Sequence, residues 1–168
     1  MANDLFRRQL ASYAAVHRDA RNKATHFIGI PIIVFAILLI LTLWPAHIFG
    51  REISMAAVVA IVAVLGWMTL DLGVGLVMAA LMLMAWYAAE ALMVALGTSS
   101  TVVAFAVLFI GGWVLQFLGH HYEGKRPALL DNIFQAFIGP MFLVAETMVV
   151  MGLRRDPAPF MTKHVTVR

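Results

Sequence analysis

Four of the six histidines lie in two short stretches that are far apart in the chain. His17 and His26 belong to the first stretch, and the adjacent His120 and His121 follow a long apolar run. Neutral imidazole is the commonest side-chain ligand for iron, zinc, copper and nickel. Three or four imidazoles leave positions on a metal ion open for a substrate and oxygen. The residue types therefore indicate a metal centre, and the alternative interpretation is a set of solvated histidines at a membrane surface.

Each histidine stretch contains further polar residues at helical spacing. Residues three, four or seven positions apart share one face of a helix. His120 therefore shares a face with polar neighbours on both sides, whereas His121 points about 100° away. A hydrogen-bond partner fixes the orientation and tautomer of a metal-bound imidazole. The candidate metal ligands are His17, His26, His120 and His121, and the candidate catalytic or orienting residues are Tyr13, Asn22, Gln116 and Glu123.

The first two histidines can converge only if the chain bends between them. His17 and His26 are nine residues apart, so on one unbroken helix they would point in opposite directions. Residues 4–18 mix apolar and charged side chains as an interfacial helix does, and a membrane span follows them. A bend between these two segments is therefore expected.

The apolar composition indicates an integral membrane protein. Hydrophobic residues make up 62% of the 168-residue chain and charged residues 12%, against about 45–50% and about 25% in soluble domains. As one helix, residues 53–96 would be about twice as long as the bilayer core is thick, so a turn is expected near Asp71. The predicted fold is all-α, with about four transmembrane helices, an N-terminal interfacial helix and a re-entrant or bent fifth apolar segment. The predicted bounds are 1–153 for a single membrane domain, 27–44, 53–70, 75–96 and 101–118 for the spans, 133–151 for the bent segment, and 154–168 for a loose tail.

The positive charges predict which side of the membrane the histidines face. Lysine and arginine residues beside membrane spans favour the cytoplasmic side. If the fifth segment bends back at Gly139–Pro140, eleven of the twelve Lys and Arg residues lie on the same side as the amino terminus, and the exception is Arg51. Both histidine stretches then share this cytoplasmic face. The expected location is a bacterial inner membrane, with the endoplasmic reticulum as the alternative.

Several other classes of site are excluded. The chain has no cysteine, so it has no disulfide, thiolate metal ligand or cysteine nucleophile. It also lacks the zincin, P-loop, nucleophile-elbow and dinucleotide-binding motifs. No nucleic-acid partner is expected, because the basic residues are explained by membrane topology.

Two patterns around the histidines resemble a known family. The first is Y-x3-H-x4-N-x3-H-x2-G-x-P, which runs from Tyr13 to Pro31. The second is W-x2-QF-x-GH, which begins at Trp113 and is followed by E-G-x-x-PALLDN up to Asn132. In both patterns the sequence resembles the membrane 2-hydroxy fatty acid dioxygenases. The resemblance is close at the two ends of the chain and extends to the middle spans only in hydropathy.

The resemblance implies an Fe(II)-dependent enzyme of fatty-acid α-oxidation. Such an enzyme converts a long-chain 2-hydroxy fatty acid and O2 into the acid one carbon shorter, CO2 and water. The substrate itself supplies the four electrons that reduce oxygen, so no second cofactor is needed. The expected partners are this substrate, O2 and the lipid bilayer, and an oligomer is compatible with the sequence.

Two other functions compete with the oxygenase. A transporter or proton-coupled carrier would use the intramembrane acids Asp71, Glu90 and Glu146 together with the histidines as a relay. The histidines gather at one face, and no inverted repeat is evident, which disfavours a carrier. A scaffold or lipid-binding protein is the third option, and it would keep its activity without the four clustered histidines.

Overall fold

Five α-helices and one β-hairpin make up the part of the chain that the structure describes. The computed structural model describes residues 3–15, 17, 19–124 and 134–154. In chain order the elements are α1 (Asp4–Ala15), α2 (Ala20–Leu41), β1 (Pro45–Ile48), β2 (Arg51–Ser54), α3 (Met55–Leu70), α4 (Leu72–Glu123) and α5 (Phe134–Val150). Of the predicted segments, residue 133 and the tail from residue 155 onwards lie outside the described residues.

Each predicted span is mostly helical, but the bounds differ: α2 begins before residue 27 and ends at Leu41, residues 53–54 belong to β2, and α4 continues beyond residue 118. The helix α2 begins at Ala20 because the side chain of Asp19 caps it and accepts a hydrogen bond from the backbone N–H of Arg21. The helix α4 continues beyond residue 118 to Glu123 and ends at Gly124, which adopts a positive φ. Both extensions matter for the site, because they place the polar residues of the two histidine stretches on helices.

The chain reverses direction at Gly97, within α4. Gly97 has φ 71° and ψ 169°, a backbone conformation that is essentially restricted to glycine. Before this residue, α4 runs antiparallel to α3: a Cβ on Gly75 would lie 2.8 Å from the Cα of Met68, and Glu90 accepts a hydrogen bond from Ser54. The reversal therefore falls between the predicted spans 75–96 and 101–118, and residues 98–100 are already helical.

After the reversal, α4 runs antiparallel to α2. A Cβ on Gly112 would lie 2.6 Å from Cγ1 of Ile33, and a Cβ on Gly119 would lie 2.5 Å from Oδ1 of Asn22. The helices α2 and α3 and the two parts of α4 thus make four antiparallel passes. We term the end of this bundle that holds the start of α2 and the end of α4 the histidine end.

A β-hairpin joins α2 to α3, so the prediction of an all-α fold is wrong in this segment. The strands β1 and β2 pair antiparallel, and Phe49 and Gly50 form the turn between them with φ values of 51° and 73°. Positive φ at both turn residues is typical of the turns that connect twisted strands. Pro45 cannot continue α2, and Gly50 alone is too weak a signal to predict the hairpin from sequence.

The helix α5 continues through Gly139 and Pro140, whereas the sequence predicts a break there. A proline inside a helix removes one backbone hydrogen bond, and packing against neighbouring helices compensates for that loss. The indole N–H of Trp67 donates to the carbonyl oxygen of Phe137, and further along α5 Glu146 pairs with Lys23. Both parts of α5 therefore contact the histidine end, so α5 lies across this end as one helix.

The predicted N-terminal helix is present, and its apolar face packs on the protein. Phe6 and Leu10 of α1 are fully buried and Tyr13 is 5% exposed. These residues recur at the spacing of one helix face. The helix α1 therefore closes the histidine end beside α5, in addition to any contact that it makes with lipid.

The outer surface of the bundle is strongly apolar. Two helices of the described ranges, α2 and α4, are long and apolar enough to cross a membrane, and only 28% and 17% of their most apolar windows are buried. A helix that is apolar all round and is not a buried core helix is typical of a membrane span. The 16-residue α3 and the 17-residue α5 are also apolar but shorter.

The ion pair between Asp71 and Arg154 is expected to be a main determinant of stability. Asp71 is 1% exposed, caps α4 at the backbone N–H of Val74 and binds both terminal nitrogens of Arg154. Burial alone would raise the pKa of Asp71, but the guanidinium and the cap hold it below its usual value. A lowered pKa means that this stabilisation is present above the ordinary carboxyl pKa and is lost as the pH falls through the lowered value.

We expect Arg154→Met to lower the free energy of unfolding by about 3–5 kcal/mol, because it leaves a buried carboxylate without its partner. Arg51→Met, in the exposed hairpin, is the matched control and should change stability by less than about 0.5 kcal/mol. Thermal unfolding in detergent at neutral pH measures both. Equal midpoints for the two variants would contradict a structural role for the pair.

Candidate metal centre

The segment between α1 and α2 places His17 in the interior. The helix α1 ends at Ala15, and Asp19 starts α2, so the chain bends where the sequence predicts a bend. His17 is 3% exposed, and its ring stacks on that of Tyr13 with centroids 3.8 Å apart and planes at 2°. The bend therefore turns His17 towards His26, whose ring centroid is 4.6 Å away.

Two backbone carbonyl groups fix the orientation of the first two imidazoles. Nδ1 of His17 lies 2.8 Å from the carbonyl oxygen of Tyr13, and Nδ1 of His26 lies 2.9 Å from that of Asn22. A carbonyl oxygen only accepts, so in the neutral imidazole Nδ1 carries the proton and Nε2 has a free lone pair. Both Nε2 atoms are thus prepared to bind a metal ion.

The third histidine comes from α4. Gly119 allows α4 to approach α2 closely, and Nε2 of His120 lies 3.3 Å from Nε2 of His26. His17, His26 and His120 each offer one ligand nitrogen, and these nitrogens lie within 4.8 Å of one another. Two nitrogens bound to one metal ion at about 2.1 Å in tetrahedral geometry are roughly 3.4 Å apart. The spacing of the three nitrogens therefore fits a metal ion between them.

The hydrogen-bonding state of the histidines agrees with this fit. Nε2 of His17 is buried and has no hydrogen-bond partner among the described residues. A buried polar atom without a partner costs free energy. A metal ion bound by the three histidines would satisfy the Nε2 of His17. Burial lowers the pKa of His17 to about 4, so its imidazole is neutral at physiological pH, which is the form that binds metal.

The predicted orienting residues lie around the cluster. Oε2 of Glu123 accepts hydrogen bonds from Nδ2 of Asn22 at 3.0 Å and from the backbone N–H of Asp19 at 2.8 Å. Through these hydrogen bonds the carboxylate links the end of α4, which carries His120, to the start of α2, which carries His26. Burial, together with the nearby charge of Glu146, raises the pKa of Tyr13 far above its usual value, so the phenol stays protonated.

An apolar cavity of about 320 Å³ opens from the histidines. Tyr13, the three clustered histidines and Gln116 line one end of it. From there the cavity follows α2 as far as Ile37, about 16 Å along the helix axis from His26. Its apolar lining from α2 and α4 comprises Ile30, Ile33, Val34, Ile37, Phe109 and Trp113. The arrangement combines a polar end, which carries the three histidines, with a long apolar space.

The structure leaves one candidate ligand outside the cluster. The side chain of His121 is exposed and lies beside Tyr122, about 100° around α4 from His120. Two residues near the site were not singled out by the sequence: Gln135, which lines the cavity, and Lys23, which pairs with Glu146 beside His17. A polar residue in an apolar helix is the sequence signal that marks Gln135.

Two of the three acids that a carrier would use form ion pairs or hydrogen bonds away from the histidines. Asp71 is paired with Arg154, and Glu90 accepts hydrogen bonds from Trp86 and Ser54. Only Glu146 lies near the histidines. The three acids therefore do not form a continuous relay with the cluster.

Comparison with known proteins identifies the family. Residues 4–151 match the family described as 2-hydroxy-palmitic acid dioxygenase Mpo1-like. A relative, the 2-hydroxy-palmitic acid dioxygenase MPO1 of Saccharomyces cerevisiae, is 30% identical over 151 residues, which cover 87% of this chain and 81% of the relative. No solved structure matches the chain. The chain therefore belongs to the Mpo1-like dioxygenase family and is an oxidoreductase.

Proposed function

We propose that this protein is an Fe(II)-dependent dioxygenase that cleaves long-chain 2-hydroxy fatty acids. The observation that carries the proposal is the group of three buried imidazoles at the polar end of an apolar cavity. A fatty acid has the same division into a polar head and an apolar tail. Membership of the dioxygenase family supports the same reaction class.

The choice of iron follows from the reaction. Imidazole nitrogens suit iron, copper, nickel and zinc, but zinc has no redox chemistry. When bound by His17, His26 and His120, Fe(II) supplies the redox-active centre at which oxygen and the substrate head react. Three protein ligands leave positions open for that purpose.

The proposed reaction balances without a further reductant. The substrate R-CH(OH)-COOH and O2 give R-COOH, CO2 and H2O. The bond between the carboxyl carbon and the hydroxyl-bearing carbon breaks, and these two carbons together lose four electrons, which reduce O2. No 2-oxoglutarate, flavin or nicotinamide is required.

The chain's own residues would position the reactants. Nε2 of Gln116 is buried in the cavity lining and has no hydrogen-bond partner in the described part of the chain, so it is available to donate to the substrate carboxylate. Tyr13 supports His17 by stacking, and Asn22 and Glu123 hold the two helices together. The acyl tail would fill the apolar space and exclude water from the reacting end.

We also propose that the four antiparallel passes cross a membrane, with the histidine end and the amino terminus on the cytoplasmic side. The exposed apolar surface and the distribution of lysine and arginine support this orientation. The site then lies at the depth where a fatty acid presents its head group. The relative from a eukaryote favours the endoplasmic reticulum over a bacterial inner membrane.

Oxygen uptake tests the proposal. Detergent-purified protein, loaded anaerobically with Fe(II), should consume about one O2 per 2-hydroxypalmitic acid and none with palmitic acid. Pentadecanoic acid and CO2 should form in equal amounts. Iron-loaded protein that consumes no oxygen with 2-hydroxy acids of any chain length would overturn the proposal. Uptake of a labelled solute into proteoliposomes would instead favour the carrier.

A further inference from the structure

Gln135, on α5, presents a buried acceptor that no described residue uses. The side chain is 7% exposed, and its Nε2 donates a hydrogen bond to Oε1 of Gln9 at 2.5 Å. Its Oε1 is buried and has no hydrogen-bond partner among the described residues. A buried polar atom without a partner costs free energy, so an acceptor kept in this state indicates a ligand that donates to it.

The residue that carries this acceptor lines the same cavity as the three histidines. Gln135 and Gly139 both line the cavity, one helical turn apart on α5, and a Cβ on Gly139 would lie 3.5 Å from the hydroxyl of Tyr13. Gln116 lines the cavity one turn before His120 on α4. Two carboxamides, one from α4 and one from α5, therefore line the same largely apolar cavity as the histidines.

The two carboxamides offer opposite hydrogen-bonding atoms. Gln116 has a buried donor, Nε2, and Gln135 has a buried acceptor, Oε1, both without a partner in the described part of the chain. The head of a 2-hydroxy fatty acid has a carboxylate, which only accepts, and a hydroxyl, which can donate. Donor and acceptor in the site thus match acceptor and donor in the substrate.

We propose that Gln135 is a specificity-determining residue, whose Oε1 accepts a hydrogen bond from the 2-hydroxyl of the substrate and so distinguishes hydroxylated from ordinary fatty acids. This inference rests on the proposed function, because it assumes that substrate. An ordinary fatty acid would leave the acceptor buried and unpaired. Sites built in this way reject an analogue that lacks the hydroxyl far more strongly than apolar pockets do.

Gln9 is the positioning residue in this arrangement. Because Gln9 holds the Nε2 of Gln135, it fixes the orientation of the amide and leaves the Oε1 free of Gln9. Gln9→Glu keeps an acceptor at this position and should preserve the orientation of the Gln135 amide. Gln9→Lys offers only donors, so it should rotate the amide and turn its Nε2 towards the substrate. The two variants thus differ in the orientation that they impose on Gln135, and neither alters a residue that contacts the substrate.

Anaerobic calorimetric titration of the metal-loaded protein with 2-hydroxypalmitic and palmitic acid tests the inference. Gln135→Met, which keeps the size of the side chain and removes the amide, should weaken binding of the hydroxy acid by about 10- to 100-fold. Its affinity for palmitic acid should stay within about twofold. Gln9→Lys should lose the preference for the hydroxy acid, and Gln9→Glu should retain it.

Three outcomes would overturn the inference. An equal loss of affinity for both acids would show that Gln135 is structural, and an unchanged preference in Gln135→Met and Gln9→Lys would show that another group reads the hydroxyl. In both cases a wild-type protein that still consumes oxygen with the hydroxy acid leaves the proposed function intact. A wild-type protein that neither binds nor oxidises the hydroxy acid would overturn the proposed function as well.

Discussion

His120→Ala is expected to abolish metal binding and oxygen consumption together. The Nε2 of His120 lies 3.3 Å from that of His26, so the variant removes one of three nitrogens that surround the same point. Loss of a residue that only supports a ligand already costs about 10- to 100-fold, so loss of a ligand should lower activity by more than about 100-fold. His17→Ala and His26→Ala should behave alike, because each removes an equivalent nitrogen.

The neighbouring His121 provides the matched control. It has the same side chain on the same helix, but it is exposed and lies outside the group of three. His121→Ala should therefore bind about one iron per chain and retain wild-type oxygen uptake. Metal analysis and an oxygen electrode, applied to all four variants, measure both properties. Loss of iron in His121→Ala would contradict a three-histidine site, and full iron in His120→Ala would exclude the site altogether.

The sequence was sufficient to predict the cluster because helical periodicity acts locally. The stripe of Gln116, His120 and Glu123 depends only on their spacing along one helix, and in α4 Gln116 and His120 are buried while Glu123 is half-buried. The convergence of His17 and His26 required one further inference, a bend between two segments of different character. That bend is present because Asp19 starts a new helix.

The sequence could not predict features that depend on contacts between distant elements. Pro140 was expected to break α5, but its helix is supported by contacts such as that between Trp67 and Phe137. Glu123 was a candidate near the metal, and only the approach of α2 to α4 shows that it accepts from Asn22. Gln135 shows the same limit, because only the packing of α5 shows that its amide oxygen is buried without a partner in a residue that lines the cavity.

The approach of α2 to α4 depends on Gly119, and this gives the second large prediction. A Cβ at Gly119 would lie 2.3 Å from Oγ1 of Thr25, 2.5 Å from Oδ1 of Asn22 and 2.9 Å from Nδ1 of His26. Three close contacts on one helix cannot be relieved by rotating one side chain, so α2 and α4 must separate. We expect Gly119→Ala to lower kcat/KM by about 100-fold, since a misplacement of about 1 Å in a reacting site can have that effect.

Gly111→Ala separates this steric effect from the general consequence of placing alanine in α4. A Cβ at Gly111 would meet no atom within 4 Å, so this variant gains helix propensity, about 1 kcal/mol, without displacing a neighbour. It should keep wild-type iron content and oxygen uptake. Iron affinity and kcat/KM, measured for both variants in the same detergent, decide the question. If Gly119→Ala matched Gly111→Ala in both, the ligand nitrogens of His26 and His120 would not depend on close helix contact, and the geometry of the metal centre would need another explanation.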